Sequence, residues 1–241
     1  MSDFSQSNIQ NLLMRALAPE AFDLLRPAMR RVTLPVKFEL ISPGVPSGTV
    51  YFLESGLASI VATNSDDESV EVGHVGYEGM AGAHVVLKID QTSNRTFMQV
   101  EGHGISVPVS ALLSMAERVP LANDLLLRYV HCRDLQLAHS ALANARYNMS
   151  ERLARWLLMC HDRLRTADLP LTHEFLSLML GVRRAGVTNE IHIIEGMRAI
   201  SATRGNIRIL DRPKLEDMAG GSYGVPELEY ERHIGFPIRR T

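Results

Sequence analysis

Cysteine is nearly absent: the 241-residue chain has two, Cys132 and Cys160. Two thiols cannot build a disulfide framework, and their scarcity fits a reducing compartment. Long apolar runs are missing too; none approaches the ~20 residues that a membrane span needs. The opening MSDFSQSNIQ has neither a basic start nor an apolar stretch. No signal peptide and no membrane partner are therefore expected, and the chain is placed in the cytoplasm. There is no Walker loop, no His/Cys cluster at metal-ligand spacing and no recognisable Ser/His/Asp set. The reading is not an enzyme, with no metal and no cofactor.

A strong charge imbalance is lacking as well, since the formal net charge is −2. The even total hides an asymmetry. Residues 1–149 carry 11 basic against 15 acidic side chains, whereas residues 150–210 carry 9 against 6. All nine of those basic residues are arginine, the side chain suited to bidentate recognition of phosphate and guanine. A local positive excess inside a chain of ordinary charge is a feature of nucleic-acid-binding modules.

The texture changes twice along the chain. Residues 8–31 have the apolar spacing of short helices, broken at Pro19 and Pro27. From about 32 to 109, β-type runs alternate with turn residues: VYFL (50–53), ASIVAT (58–63), SVEVGHV (69–75) and RTFMQV (95–100). Nine of the 17 glycines fall between positions 44 and 104, so an antiparallel roll or barrel is expected, not βαβ units. Residues 110–147 then hold no glycine and a single proline, Pro120. They predict a short helix followed by a long one over about 121–147. Its apolar residues cover more than one stripe, which predicts contact with the roll on one face and with something else on the other. Two imperfect heptad series are available: Leu127, Val130, Asp134, Leu137, Ala141, or Leu125, Cys132, Leu135, His139, Leu142. Asn148 followed by Glu151 predicts a capping box, a new helix and a domain boundary.

After Pro170 the sequence reads LTHEFLSLMLGVRRAGVTNEIHIIEGMRAI. Thr172 can cap a first helix, Gly181 supplies a tight turn, and a second helix follows from about Arg183 with Val187, Ile191 and Ile194 inward. AISATRGNIRILD next predicts a hairpin around Arg204-Gly205-Asn206. Helix, turn, helix and hairpin make a winged helix-turn-helix, whose second helix enters the major groove by its N-terminus. The adjacent Arg183 and Arg184 begin that helix, where the dipole is already positive; an anion or a guanine edge removes the conflict. Arg184 has the chemistry for guanine O6 and N7, Asn189 for adenine, and Thr188 or Thr172 for phosphate. Gly186 and the hairpin's Arg204 complete the expected DNA-binding set. Two exposed arginines on a helix that contacts protein are the competing explanation.

The order roll, long helix, boundary, winged helix-turn-helix resembles the Crp/Fnr family of bacterial transcription regulators over nearly the full length. The matching stretches are VYFLESGLASI (50–60), VEVGHVGYEGMAG (70–82), RTFMQVEG (95–102) and LTHEFLSLMLGVRRAGVT (171–188). The resemblance implies an α+β fold: a cyclic-nucleotide-binding-like antiparallel β-roll (1–120), a dimerisation helix (121–147) and a winged helix-turn-helix domain with a C-terminal tail (148–241). It implies as partners double-stranded DNA, a second copy of the chain and RNA polymerase. It also points to an effector pocket built from Glu78, Gly79, Met80, Arg95, Thr96 and Leu137. Cyclic AMP is not the expected effector. Glu78 stands one position early for a ribose-binding acid, and Leu137-Ala138 offers no hydroxyl to an adenine. The cysteines of the iron–sulfur members have no counterpart before Cys132. Arg95-Thr96 resembles the pair that holds a phosphate. The reading helix departs from the best-known pattern at Ala185, where an acid would contact cytosine. The tail after Asp211 is expected to begin as a short helix and then be disordered or dock. A ligand-binding module that acts through protein contacts is the alternative function, and a steep salt dependence of DNA binding separates the two.

Overall fold

A computed structural model describes residues 4–239; the outer ends of the first and last predicted domains, 1–3 and 240–241, lie outside the described residues. Two short helices come first, α1 (Leu12–Ala16) and α2 (Pro19–Leu25). The buried Asn11 caps α1 by accepting from the Met14 amide at 2.9 Å. Its own amide donates to the carbonyls of Leu53 and Gly79, so one cap also pins the helix to the roll.

The roll comprises β1 (Arg30–Leu34), β2 (Glu39–Ile41), β3 (Thr49–Leu53), β4 (Leu57–Thr63), β5 (Ser69–Val75), β6 (Met80–Ala81), β7 (Arg95–Val100) and β8 (Gly102–Pro108). They form two four-stranded antiparallel sheets, ordered β1-β8-β3-β6 and β2-β7-β4-β5. Alternation along the strands sends Leu34, Ile41, Leu53, Ala58, Ile60 and Met98 into the space between the sheets. The predicted runs 69–75 and 95–100 coincide with β5 and β7; the short β2 and β6 left no run long enough to read.

Helix α3 (Val109–Arg118) leads to α4 (Pro120–Arg146), 27 residues begun by a proline at its first position. Ala122, Leu125, Leu126, Tyr129 and Cys132 pack into a core shared with α1–α3 and β3. Leu127, Asp134, Leu137 and Ala141 remain exposed, with Val130 half-buried. Of the two heptad series, then, the first lies on the open face and the second turns inward at Leu125 and Cys132.

The capping box forms as the sequence predicts: the Asn148 side chain accepts from the Glu151 amide at 3.0 Å, and the Glu151 carboxylate accepts from the Asn148 amide at 2.6 Å. It opens α5 (Met149–Leu164). There follow β9 (Asp168–Leu169), α6 (His173–Leu180), α7 (Arg184–Gly196), β10 (Ile200–Thr203) and β11 (Asn206–Ile209). The wing is a three-stranded sheet, β10-β11-β9, one strand more than the predicted hairpin. Leu157, Leu176, Val187, Ile191, Ile194 and Ile207 form the core of this half.

The tail is folded. Helix α8 (Arg212–Ala219) adds Leu215 and Ala219 to the C-terminal core. Helix α9 (Val225–Ile234) crosses over, and Tyr230, Ile234 and Ile238 are buried in the core that includes α4.

Candidate nucleic-acid interface and sensor pocket

The interface is organised by two helix ends. Thr172 caps α6 by accepting from the Phe175 amide at 3.3 Å. Gly181, at φ 64°, ends α6 in the left-handed conformation that glycine adopts without strain. Arg183 is the N-cap of α7, and no side chain caps that end; its amides keep their capacity to meet an acceptor. Arg183, Arg184, Ala185 and Asn189 are exposed, while Val187, Ile191 and Ile194 on the opposite face are buried. A helix period of 3.6 makes that division. Arg204 is exposed at the tip of the wing, beside Gly205 at φ 78°.

Thr188 differs from its neighbours. Its hydroxyl donates to the Arg184 carbonyl at 3.2 Å and lies 3.1 Å from His173 Nδ1, so it joins α7 to the start of α6. A Cβ added at Gly186 would meet no atom within 4 Å; packing within the chain therefore gives no reason for glycine there.

The six expected pocket residues do not converge. Glu78 is buried, and its Oε1 accepts from Arg163 Nε at 2.8 Å while Oε2 accepts from the Gly76 amide at 3.0 Å. Gly79 lies so close to Tyr129 that a Cβ there would collide with the phenol oxygen. The Met80 amide donates to that same oxygen at 2.9 Å, and the phenol donates back to the Met80 carbonyl. Arg95 is exposed with its guanidinium 4.4 Å above the Phe97 ring, facing the cleft between roll and α6. Thr96 and Leu137 do share a cavity, of about 230 Å³, whose wall includes His84, Arg133 and Gln136.

A joint that sequence reasoning missed lies between the roll and α5. Trp156 Nε1 donates to Glu71 Oε1 at 3.0 Å, and His74 Nδ1 approaches the same oxygen at 3.2 Å. Burial pushes the Glu71 carboxyl up to about 8, against the pull of Ser59, Trp156, Arg163 and Arg155. Burial, helped by Arg163 and Arg155, holds His74 well below its usual value. Both shifts favour the neutral forms over an ion pair. Glu71 and His74 stand three apart in the VEVGHVG stretch; two ionisable residues inside an otherwise apolar strand were the available signal.

Residues 151–218 match the family of the Crp-like helix-turn-helix domain. Among solved structures the chain is similar to FixK2 from Bradyrhizobium japonicum (TM-score 0.70, 14% identity, covering 80% of this chain and 98% of that one). It is also similar to a CRP-family transcriptional regulator from Thermus thermophilus (TM-score 0.67, 18% identity, 81% and 98%). A third is the c-di-GMP-responsive global regulator CLP from Xanthomonas campestris (TM-score 0.63, 17% identity, 78% and 97%). No curated protein matches the sequence. The domain that carries Arg184 is thus a Crp-like helix-turn-helix domain, in a chain with the Crp/Fnr fold.

Proposed function

We propose that this Crp/Fnr-type DNA-binding transcription regulator works as a homodimer that reads a two-fold duplex site through α7 and senses something other than cyclic AMP, or no small molecule. The observation that carries the reading is the end of α7: an uncapped N-terminus with Arg183, Arg184 and Asn189 exposed above a buried Val187–Ile191–Ile194 face. Such an end accepts an acceptor-rich partner, and the major-groove edge of guanine supplies one to Arg184. Arg204 on the wing and Arg183 are assigned to phosphate, Asn189 to adenine, and Gly186 to close passage of the duplex. Thr172 and Thr188, both engaged in capping or bridging α6 and α7, are assigned to positioning and to phosphate through their remaining hydrogen-bond capacity.

The second copy is assigned to the open face of α4, along Leu127, Val130, Asp134, Leu137 and Ala141. Those residues keep heptad spacing, and Leu127, Asp134, Leu137 and Ala141 are exposed. Two-fold pairing there sets two α7 helices on successive major grooves. RNA polymerase is the expected protein partner and the cytoplasm the expected location.

Two features argue against cyclic AMP. Glu78 is committed to Arg163, and Arg95 faces a different space from Thr96. Selection of bound sequences from a random duplex pool, with and without candidate nucleotides, tests the whole reading. An enriched two-fold motif whose affinity falls steeply with salt supports it; no enrichment at any salt concentration refutes it.

A further inference from the structure

The segment 220–239 leaves the C-terminal core at Ala219 and ends in the N-terminal one. Its route crosses the joint between the roll and α5. Tyr230 Oη donates to the Glu78 carbonyl at 2.5 Å. Glu227, 2% exposed, lies 4.0 Å from the Arg163 guanidinium that also holds Glu78. Arg155 donates to the Ser222 carbonyl at 2.9 Å. Roll, α5 and α9 are therefore tied at one buried point.

That point is poorly satisfied for a permanent interface. Among the described residues, Glu71 Oε2, His74 Nε2, Gln99 Nε2, Arg152 Nε and Glu227 Oε1 are buried without a hydrogen-bond partner in the protein. Glu71, His74 and Arg152 lie at the joint between the roll and α5, Glu227 lies on α9 beside Arg163, and Gln99 lies within the roll. Buried polar groups left unpaired oppose closure, and opening returns them to water. Beside the Tyr230 and Arg155 hydrogen bonds, apolar burial holds the joint shut: Tyr230, Ile234 and Ile238, at most 6% exposed, seal against α4 and the N-terminal core.

In the closed arrangement α6 faces the roll. Phe175 of α6 stacks on Phe97 of β7, with ring centroids 6.5 Å apart. A Cβ at Gly181 would touch Val70 of β5 at 3.6 Å. Arg183 shares its cleft with Lys37, Glu39, Glu68 and Arg95 of the roll, so the roll stands where a duplex would approach it.

We propose that α9 is a clasp: docked on α4, it holds the Crp-like domain against the roll in a form that binds DNA weakly, and its release accompanies tight binding. The clasp rests on the DNA-reading function proposed above, and its test keeps the two apart. Hydrogen exchange of the full-length protein is followed with and without the duplex selected from the random pool. Amides of 225–239 lose protection when the duplex is added, while those of β3 and β8 do not. Tyr230→Phe, which removes only the hydroxyl, and Ile238→Asp both bind that duplex more tightly than the parent, the first within the roughly fivefold that one lost hydrogen bond allows. If Ile238→Asp fails to fold, Tyr230→Phe and the exchange experiment decide. Unchanged protection of α9 in a DNA complex, or affinity unchanged or lowered in a folded variant, overturns the clasp alone. Absence of any selected duplex overturns the DNA reading together with it.

Discussion

Glu78 and Arg163, 85 positions apart, meet at 2.8 Å in a buried pair that joins the turn after β5 to the end of α5. The acid that resembled a displaced ribose ligand is thereby a structural anchor. Burial pulls the pKa of Arg163 down, but the carboxylates of Glu78, Glu227 and Asp162 together outweigh it and raise the pKa, so the guanidinium stays charged. Removing one partner leaves the other charge buried.

Glu78→Ala is therefore expected to destabilise the protein by on the order of 3 kcal/mol, measured by chemical denaturation. A Glu78 that served only a ligand would leave stability unaltered.

Stability should fall between pH 6.5 and 8. The Glu71 carboxyl rises from 4.5 to about 8 on folding, so its contribution is complete below pH 4.5 and declines as pH climbs to about 8. His74 is lowered from 6.5, so its contribution is complete above pH 6.5 and declines below it. The two oppose each other from 4.5 to 6.5, and only the Glu71 loss operates above. Thermal melts of the parent should show that slope, and Glu71→Gln should abolish it. A flat parent profile would mean that Glu71 is ionised in place.

Arg184→Ala should weaken binding to the selected duplex by about 1–3 kcal/mol more than binding to mixed-sequence DNA. Equal losses would make Arg184 a phosphate contact. Arg204→Ala should weaken both alike and reduce the log–log salt slope by about one.

Gly186→Ala separates folding from binding at a single atom. The added Cβ meets nothing within 4 Å, and a helical Gly→Ala change stabilises by about 0.5–1 kcal/mol. Melting temperature should rise while DNA affinity falls. A rise in both would remove Gly186 from the interface.

Leu137→Glu places a charge on the open face of α4, where Leu137 is 45% exposed. Sedimentation should then report a monomer that melts close to the parent. A dimer that survives the change would place the contact elsewhere.

Much of this was legible in local chemistry. The capping box at Asn148 and Glu151, the Thr172 cap, the Gly181 turn and the inward Val187–Ile191–Ile194 stripe each depend on residues within one or two helical turns. Spacing reports such features directly. Strands β3, β4, β5 and β7 could be read from their runs, β1 and β8 were not singled out, and β2 and β6 were too short to leave a pattern.

What the amino-acid order settled by itself is therefore the type of the longer helices and of four strands, and which helix faces are apolar. It could not say what each face would meet. Glu78 meets Arg163, Glu71 meets Trp156, and the tail closes over α4, and those partners lie from about 80 to about 100 positions away. Periodicity measures an element against itself; charge state and docking are fixed by desolvation and by neighbours that only the folded chain brings together.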